Sequence, residues 1–236
     1  MTPSKVAFLS IHTCPLAAPG QGKSGGMNVH VRQLAAALGV LGVGVDIFTK
    51  THSGQSDEIE LLSDNVRVIH LNAGDLDVPL ENLFEHLPEF LHEFTRYNNE
   101  YGIGYQAVHS HYWMSGWVGQ KIANDLNIPH LITFHTLARI KMQSRPGEQE
   151  SLRRQDTEQD IMADADKIIA FSPHERDAMV RLYKAPSDRI ELVPCGVDLT
   201  RFKPIDRSQA RKHLGINGEK VFLYVGRIES LKGVDL

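Results

Sequence analysis

The sequence predicts a doubly wound α/β domain built on a parallel sheet, followed by the opening of a second domain. Three observations predict it. Short apolar runs of β type alternate with stretches of helical periodicity. A glycine-rich loop at 20–28 (GQGKSGGMN) joins the first predicted strand to the first predicted helix. A segment at 194–204 (PCGVDLTRFKP), with two prolines and a glycine, then interrupts the alternation before it resumes.

The elements follow in order. Residues 5–10 (KVAFLS) are a short run of β type, and 27–41 carry helical spacing through Val31, Leu34, Ala35 and Leu38. Residues 45–49 and 66–71 read as strands. A helix is predicted over 82–97, a strand over 107–111 and a helix over 113–126. There follow a strand at 130–134, a polar helix near 150–165, a strand at 167–171, a helix at 174–183 and a strand at 189–193. Crossover helices between parallel strands cover both faces of the sheet. The expected division is an N-terminal domain at 1–193, a linker at 194–207 and the start of a second domain at 208–236. In that last part 208–214 has helical character and 220–225 (KVFLYV) reads as a strand. One strand and a short helix cannot bury their own apolar faces. Either the piece docks on the first domain or the chain is a shortened form of something longer; the second reading is preferred.

Composition narrows the function classes. A hydrophobic fraction of 42% with 23% charged residues is ordinary for a globular chain. The formal net charge of −4 carries no footprint for nucleic acid. The two cysteines, Cys14 and Cys195, lie far apart and in no CxxC pair, which fits a reducing compartment better than a disulfide framework. No stretch approaches the ~18 apolar residues of a membrane span. A soluble, cytoplasmic protein is expected.

The glycine loop is the most informative segment. Backbone amides in such a loop, beside a helix N-terminus, suit an anion. Gly20, Gly22 and Gly25 spell GxGxxG, yet a dinucleotide site needs its first glycine close behind the strand, and Ser10 lies ten positions before Gly20. The acid expected at the end of the second strand is also missing, since Asp46 sits near its start. A P-loop ending Gly22-Lys23-Ser24, and with it a nucleotide-binding enzyme, is the less favoured alternative. Its first glycine would fall on Ala17, with Pro15 and Pro19 breaking the approach. The remaining reading is a long excursion ending in Gly25-Gly26 that forms the floor of a cleft and cradles a phosphate. The bland alternative is a surface loop with turn glycines.

His109 and His111 share a face of one strand, and with His135 they raise a zinc site and hence a metal-dependent hydrolase. No carboxylate or fourth ligand stands at a telling spacing, so packing and hydrogen bonding is the better reading. His135 sits at a strand end, where ligands bind in open α/β sheets.

Several ordered motifs together resemble the retaining glycosyltransferases of family 4. They are His12-Thr13-Cys14-Pro15-Leu16, Ser24-Gly25-Gly26-Met27-Asn28-Val29, His109-Ser110-His111-Tyr112-Trp113 with Ser115-Gly116, and Thr133-Phe134-His135-Thr136-Leu137 with Lys141. Pro194-Cys195-Gly196-Val197-Asp198 with Phe202 resembles the interdomain hinge. Val225-Gly226-Arg227-Ile228 with Leu231-Lys232-Gly233 resembles the start of the nucleotide-binding domain. Within the family the chain looks nearest to the inositol-phosphate glycosyltransferases and the bacterial sucrose-phosphate synthases.

The resemblance implies a GT-B fold of two Rossmann-like domains, the second incomplete here. It implies an acceptor-side first domain and transfer of a hexosyl group from a UDP-sugar to a small, phosphorylated polyol or sugar. His135 is the implied catalytic residue, lying by the donor sugar. His12, Gly25, Gly26, Arg227 and Lys232 are the implied donor contacts, with the Gly26 amide and the two cations on the diphosphate. Lys23, Asn28, Tyr112, Thr136, Lys141 and Arg154 are the implied acceptor contacts. For Arg153 and Arg154 a solvated helix face is the competing expectation. No cofactor and no metal are implied, because oriented amides and cations can stabilise a departing diphosphate. Two departures bear on the acceptor: Lys23 stands where the inositol-phosphate enzymes carry an acid, and no lysine stands near Leu80.

The expected partners are a small-molecule donor and acceptor, with no nucleic acid; a homodimer is left open. Membrane docking through the amphipathic stretch 81–97 is not expected, since Glu81, Glu85, Glu89 and Glu93 form an acidic stripe that repels anionic headgroups. The chain alone is expected to be inactive. The rival from another class is a non-catalytic module that binds a sugar or phosphate.

Overall fold

The computed structural model describes residues 4–18, 25–54, 58–144, 147–218, 220–226 and 228. The chain divides into two compact units, Met1–Pro194 and Cys195–Leu236.

In the first unit the strands are β1 (Lys5–Leu9), β2 (Gly44–Lys50), β3 (Ile59–Ser63), β4 (Val66–Leu71), β5 (Ala107–His111), β6 (His130–Thr133), β7 (Lys167–Ala170) and β8 (Ile190–Leu192). The helices are α1 (Gly26–Val40), α2 (Leu87–Tyr101), α3 (Trp113–Leu126), α4 (Ala138–Ser144), α5 (Leu152–Asp164) and α6 (Pro173–Tyr183). The strands form one sheet in the order β3-β4-β2-β1-β5-β6-β7-β8. Every pairing is parallel except the edge pair β3·β4. β1 therefore lies at the centre, and the order reverses direction on either side of it.

The two faces are covered by different helices. On one, Val31 and Ala35 of α1 pack on Phe8, Val45, Ile47, Val66 and Val68. On the other, Leu87, Phe90, Phe94 and Tyr97 of α2 enter the larger core, and Phe94 and Tyr97 meet Phe48 edge to face at 4.7 and 5.6 Å. Each such burial stabilises by about 1.5–3 kcal/mol, well above the few tenths by which helix propensity separates these residues. α3 approaches β5 so closely that a Cβ on Gly119 would stand 2.0 Å from Ser110 Oγ.

The structure differs from expectation in several places, α2 among them, which runs over Leu87–Tyr101 and not 82–97. β3 and α4 were not predicted, and among the described residues 220–226 there is no strand. A strand is defined by a neighbour it bonds to. The unit Cys195–Leu236 offers α7 (Arg207–His213) and no strand among its described residues, so Phe222, Leu223 and Val225 stay exposed. No helix among the described residues is long and apolar enough to cross a membrane.

Candidate functional site

Parallel strands bring their C-terminal ends to one edge of the sheet, and the loops after β1, β5 and β6 meet there. The loop after β1 is pinned from two sides. Ile11 N–H donates to Ser115 Oγ at the start of α3 (3.1 Å), and Asn28 Nδ2 donates to Thr13 Oγ1 (2.8 Å) and to the Cys14 carbonyl (2.6 Å). Asn28 Oδ1 also accepts from Gly25 N–H at 3.3 Å, so this buried amide locks the entry of α1 to the loop. The first amides of a helix lack intrahelical acceptors and carry its positive end. At Gly25 and Gly26 an added Cβ would meet nothing within 4 Å among the described residues. Packing among those residues therefore does not ask for glycine at either position.

The ends of β5 and β6 are strained. Tyr112 has φ 79° and His135 has φ 62°, a left-handed region that costs a residue with a Cβ of order 1–3 kcal/mol. At His135 the strain sits at the apex of a tight turn, which Thr136 N–H closes by donating to the Phe134 carbonyl at 2.7 Å. The turn places the half-buried His135 ring against His111, Phe171 and His30, with centroids 5.3, 5.5 and 5.3 Å away. His111 Nδ1 lies 3.0 Å from His135 Nε2, while His111 Nε2 is buried with no hydrogen-bond partner among the described residues. A buried lone pair without a donor costs less than a buried N–H without an acceptor, so we assign the His111 proton to Nδ1, donated to His135 Nε2. His135 then carries its own proton on Nδ1. Burial, with the neighbouring histidines, holds His111 and His135 well below the ordinary imidazole value, and pulls His109 to about 3. His109 Nε2 lies 2.9 Å from Thr133 Oγ1. Among the described residues these histidines do not gather three ligand atoms into a metal cage.

Behind Tyr112 lies a chain of ion pairs. Arg154 is buried, its Nε donates to Glu158 Oε1 (2.7 Å), and its Nη2 donates to the carbonyl and Oγ1 of Thr136 (3.1 and 3.2 Å). Its guanidinium stands over the Tyr112 ring at 5.1 Å, and Nη1 pairs with Glu150 at 3.1 Å. Glu150 also accepts from Lys141, whose second partner is Glu148 at 2.9 Å. Burial works against the Lys141 charge, but Glu150 and Glu148 hold its ammonium above its ordinary value.

The profile of Glycosyltransferase Family 4 matches residues 24–201. The chain belongs to glycosyltransferase family 4. It is 38% identical over 239 residues to a D-inositol 3-phosphate glycosyltransferase of Nocardia farcinica, with 99% of this chain and 53% of that protein covered. A protein of the same name from an Arthrobacter species is 40% identical over 237 residues, with 97% and 56% covered. The solved sucrose-phosphate synthase of Thermosynechococcus elongatus superimposes with a TM-score of 0.85 at 36% identity, covering 96% of this chain and 56% of that one. The family 4 chain thus spans about half the length of the relatives it matches. An Anabaena protein solved with UDP and glucose shares the GT-B fold alone, at 15% identity and a TM-score of 0.56 over 90% of this chain. The fold of the family 4 chain is thus the expected one: an eight-stranded, mostly parallel sheet among GT-B neighbours.

Of the residues singled out in the sequence, His12, Gly25, Gly26, Asn28, Tyr112 and His135 lie at one edge of the sheet, with Thr136, Lys141 and Arg154 beside them. Lys23, Arg227 and Lys232 lie outside the described residues. Arg154 is not on a solvated helix face; α5 turns it inward because Glu158, one turn on, is buried with it. Sequence reasoning missed His30, which sits one turn along α1 from Gly26 and touches the rings of His111 and His135. Its spacing of four from Gly26 was the available signal. It also missed Glu150, just before α5, and Glu158 within it, because carboxylates in a charged segment read as solvent-facing.

Proposed function

We propose that the full-length protein transfers a hexosyl group, with retention, from a UDP-sugar to a hydroxyl of a small phosphorylated polyol or sugar in the cytoplasm. The observation that carries this reading is the open start of α1. Gly25 and Gly26 leave a space that no described side chain needs, and His30, one turn on, lies against the ring of His135. In this reading the Gly26 amide and the helix dipole receive the donor diphosphate, whose negative charge grows as it leaves. Arg227 and Lys232 meet the same charge, and its departure is assigned to these groups without a metal. His135, with its proton on Nδ1, donates a hydrogen bond to the donor sugar and orients the reacting carbon. The acceptor phosphate takes the place of the Glu150 carboxylate on Lys141 and Arg154, since both anions accept the same pair of donors. The relatives' names, a D-inositol 3-phosphate glycosyltransferase and a sucrose-phosphate synthase, agree with a phosphorylated acceptor.

Calorimetry on the full-length protein with a UDP-sugar, ATP and NAD(P) tests the donor. The UDP-sugar should bind tightest, and preference for ATP or NAD(P) would sink the reading. Activity against inositol phosphate and fructose 6-phosphate tests the acceptor. His135→Ala should lower kcat by roughly 100-fold, the loss typical of one transition-state donor. Lys141→Ala should raise KM for the phosphorylated acceptor while leaving the KM of the unphosphorylated one unchanged. The 236-residue chain alone should not turn over.

A further inference from the structure

We propose that Cys14, His52 and His70 form a binding site for a zinc-type transition-metal dication, its fourth position open to the cavity that Cys14 and His52 line. The sheet assembles the three residues. Cys14 follows β1, His52 follows β2 and His70 lies in β4, and these strands are neighbours, with Thr49 of β2 opposite His70. One ligand atom from each lies within 4.8 Å of the others. Cys14 Sγ and His70 Nε2 are 3.4 Å apart. A tetrahedral zinc with its usual bond lengths needs an S···N edge of roughly 3.6 Å. That pair stands close to this separation, and His52 would close the remaining distance on binding.

The imidazoles are also oriented as ligands. His52 Nδ1 lies 3.0 Å from the Ser53 carbonyl, which can only accept, so the ring proton sits on Nδ1. That leaves the lone pair on Nε2, a buried atom with no hydrogen-bond partner among the described residues. His70 turns Nε2 toward the cysteine, while its Nδ1 lies 3.9 Å from Glu60 Oε1, outside hydrogen-bond range. An oxygen on the far nitrogen, as at His52, is how proteins fix the tautomer and direction of metal-bound histidine. A plain Cys14–His70 hydrogen bond accounts for two of the three groups and leaves His52 Nε2 unexplained.

One thiolate and two imidazoles favour zinc over magnesium or calcium, and three protein ligands leave one coordination position vacant. The adjoining cavity has a volume of about 230 Å³ and includes Thr13, Lys50 and Asp77 in its wall, so a water or a small anion can reach that position. Binding releases the thiol proton to solvent as the S–metal bond forms. The inference stands on these residues alone and does not rest on glycosyl transfer.

The test is a titration of the chelator-stripped full-length protein with Zn²⁺ alone, competed against a chromophoric chelator, and a parallel one with Co²⁺. One equivalent should bind, and Co²⁺ should give tetrahedral visible bands with a thiolate charge-transfer band. Cys14→Ser should abolish the thiolate band, and His52→Ala should weaken zinc by roughly 100-fold. His52 is half-buried, so its variant should keep the native circular dichroism; zinc should raise the Tm of the parent protein but not of this variant. Failure of the parent to bind, binding undiminished in both variants, or loss with His111→Ala in their place would each overturn the proposal.

Discussion

Asp46 shows what one buried charge can carry. Its carboxylate accepts from Arg67 Nε and Nη2 (2.9 and 2.8 Å) and from the Tyr105 hydroxyl (2.7 Å), and it pairs with Lys5 at 2.8 Å, while only 1% exposed. Burial alone would push this carboxyl up, but Arg67, Lys5 and Tyr105 together hold it below its ordinary value. Asp46→Asn leaves two cations facing a neutral amide in a buried setting. It should cost about 3–5 kcal/mol, read as a fall in the urea midpoint with an unchanged m-value. From the sequence Asp46 was visible only as an acid in the wrong place for a nucleotide ribose. Its partners lie 21 and 59 residues away, and a pairing at that range leaves no local pattern. The same holds for Asn28 and Arg154, whose polar atoms are committed to contacts that only the fold creates.

Helix α3 depends on being close to the sheet. The Ser110 hydroxyl and His130 Nε2 are 2.9 Å apart, directly under Gly119, where a Cβ would stand 2.0 Å from the hydroxyl oxygen and 2.8 Å from the ring nitrogen. Gly119→Ala must break that contact or lift the helix. It should destabilise by about 1–3 kcal/mol in chemical denaturation, whereas alanine at Gly25 should not. Elements with strong periodicity were legible to the residue, among them β4, β5 and α3. β3 was not, because an antiparallel edge strand with one face in water, such as IELLS with Leu61 exposed, has no continuous apolar run. α4 was missed because seven residues are too few to display a helical period. The run at 220–225 was legible as apolar, yet composition cannot report whether a partner strand is there.

Across the whole molecule, the histidines set the response to acid. Burial pulls His109 to about 3 and His130 to about 4, and holds His111 and His135 well below the ordinary value. Their folded values lie under the unfolded one of about 6.5. Stability is therefore complete above pH ~6.5 and falls as pH drops toward 4 and 3, where the unfolded chain binds protons that the folded one refuses. Each of the four adds up to one proton to the slope. The urea midpoint should fall between pH 7 and 5, and His130→Gln should flatten that fall; a midpoint independent of pH over this range would contradict the assignment. Asp46 begins to act lower, below the usual carboxylate value of ~3.9, so the onsets of the two effects separate on the pH axis. The strand order has a consequence for synthesis as well. β5 joins the free edge of β1, and β6, β7 and β8 then each join the edge left by the strand before, in the order in which a ribosome releases them. That half of the sheet can grow by accretion, while β1 waits with one side uncovered until residue 107 has emerged. The interval between β1 and β5 is the stretch of translation during which this chain most needs a chaperone, and slowing elongation there should lower the yield of native protein more than slowing it later.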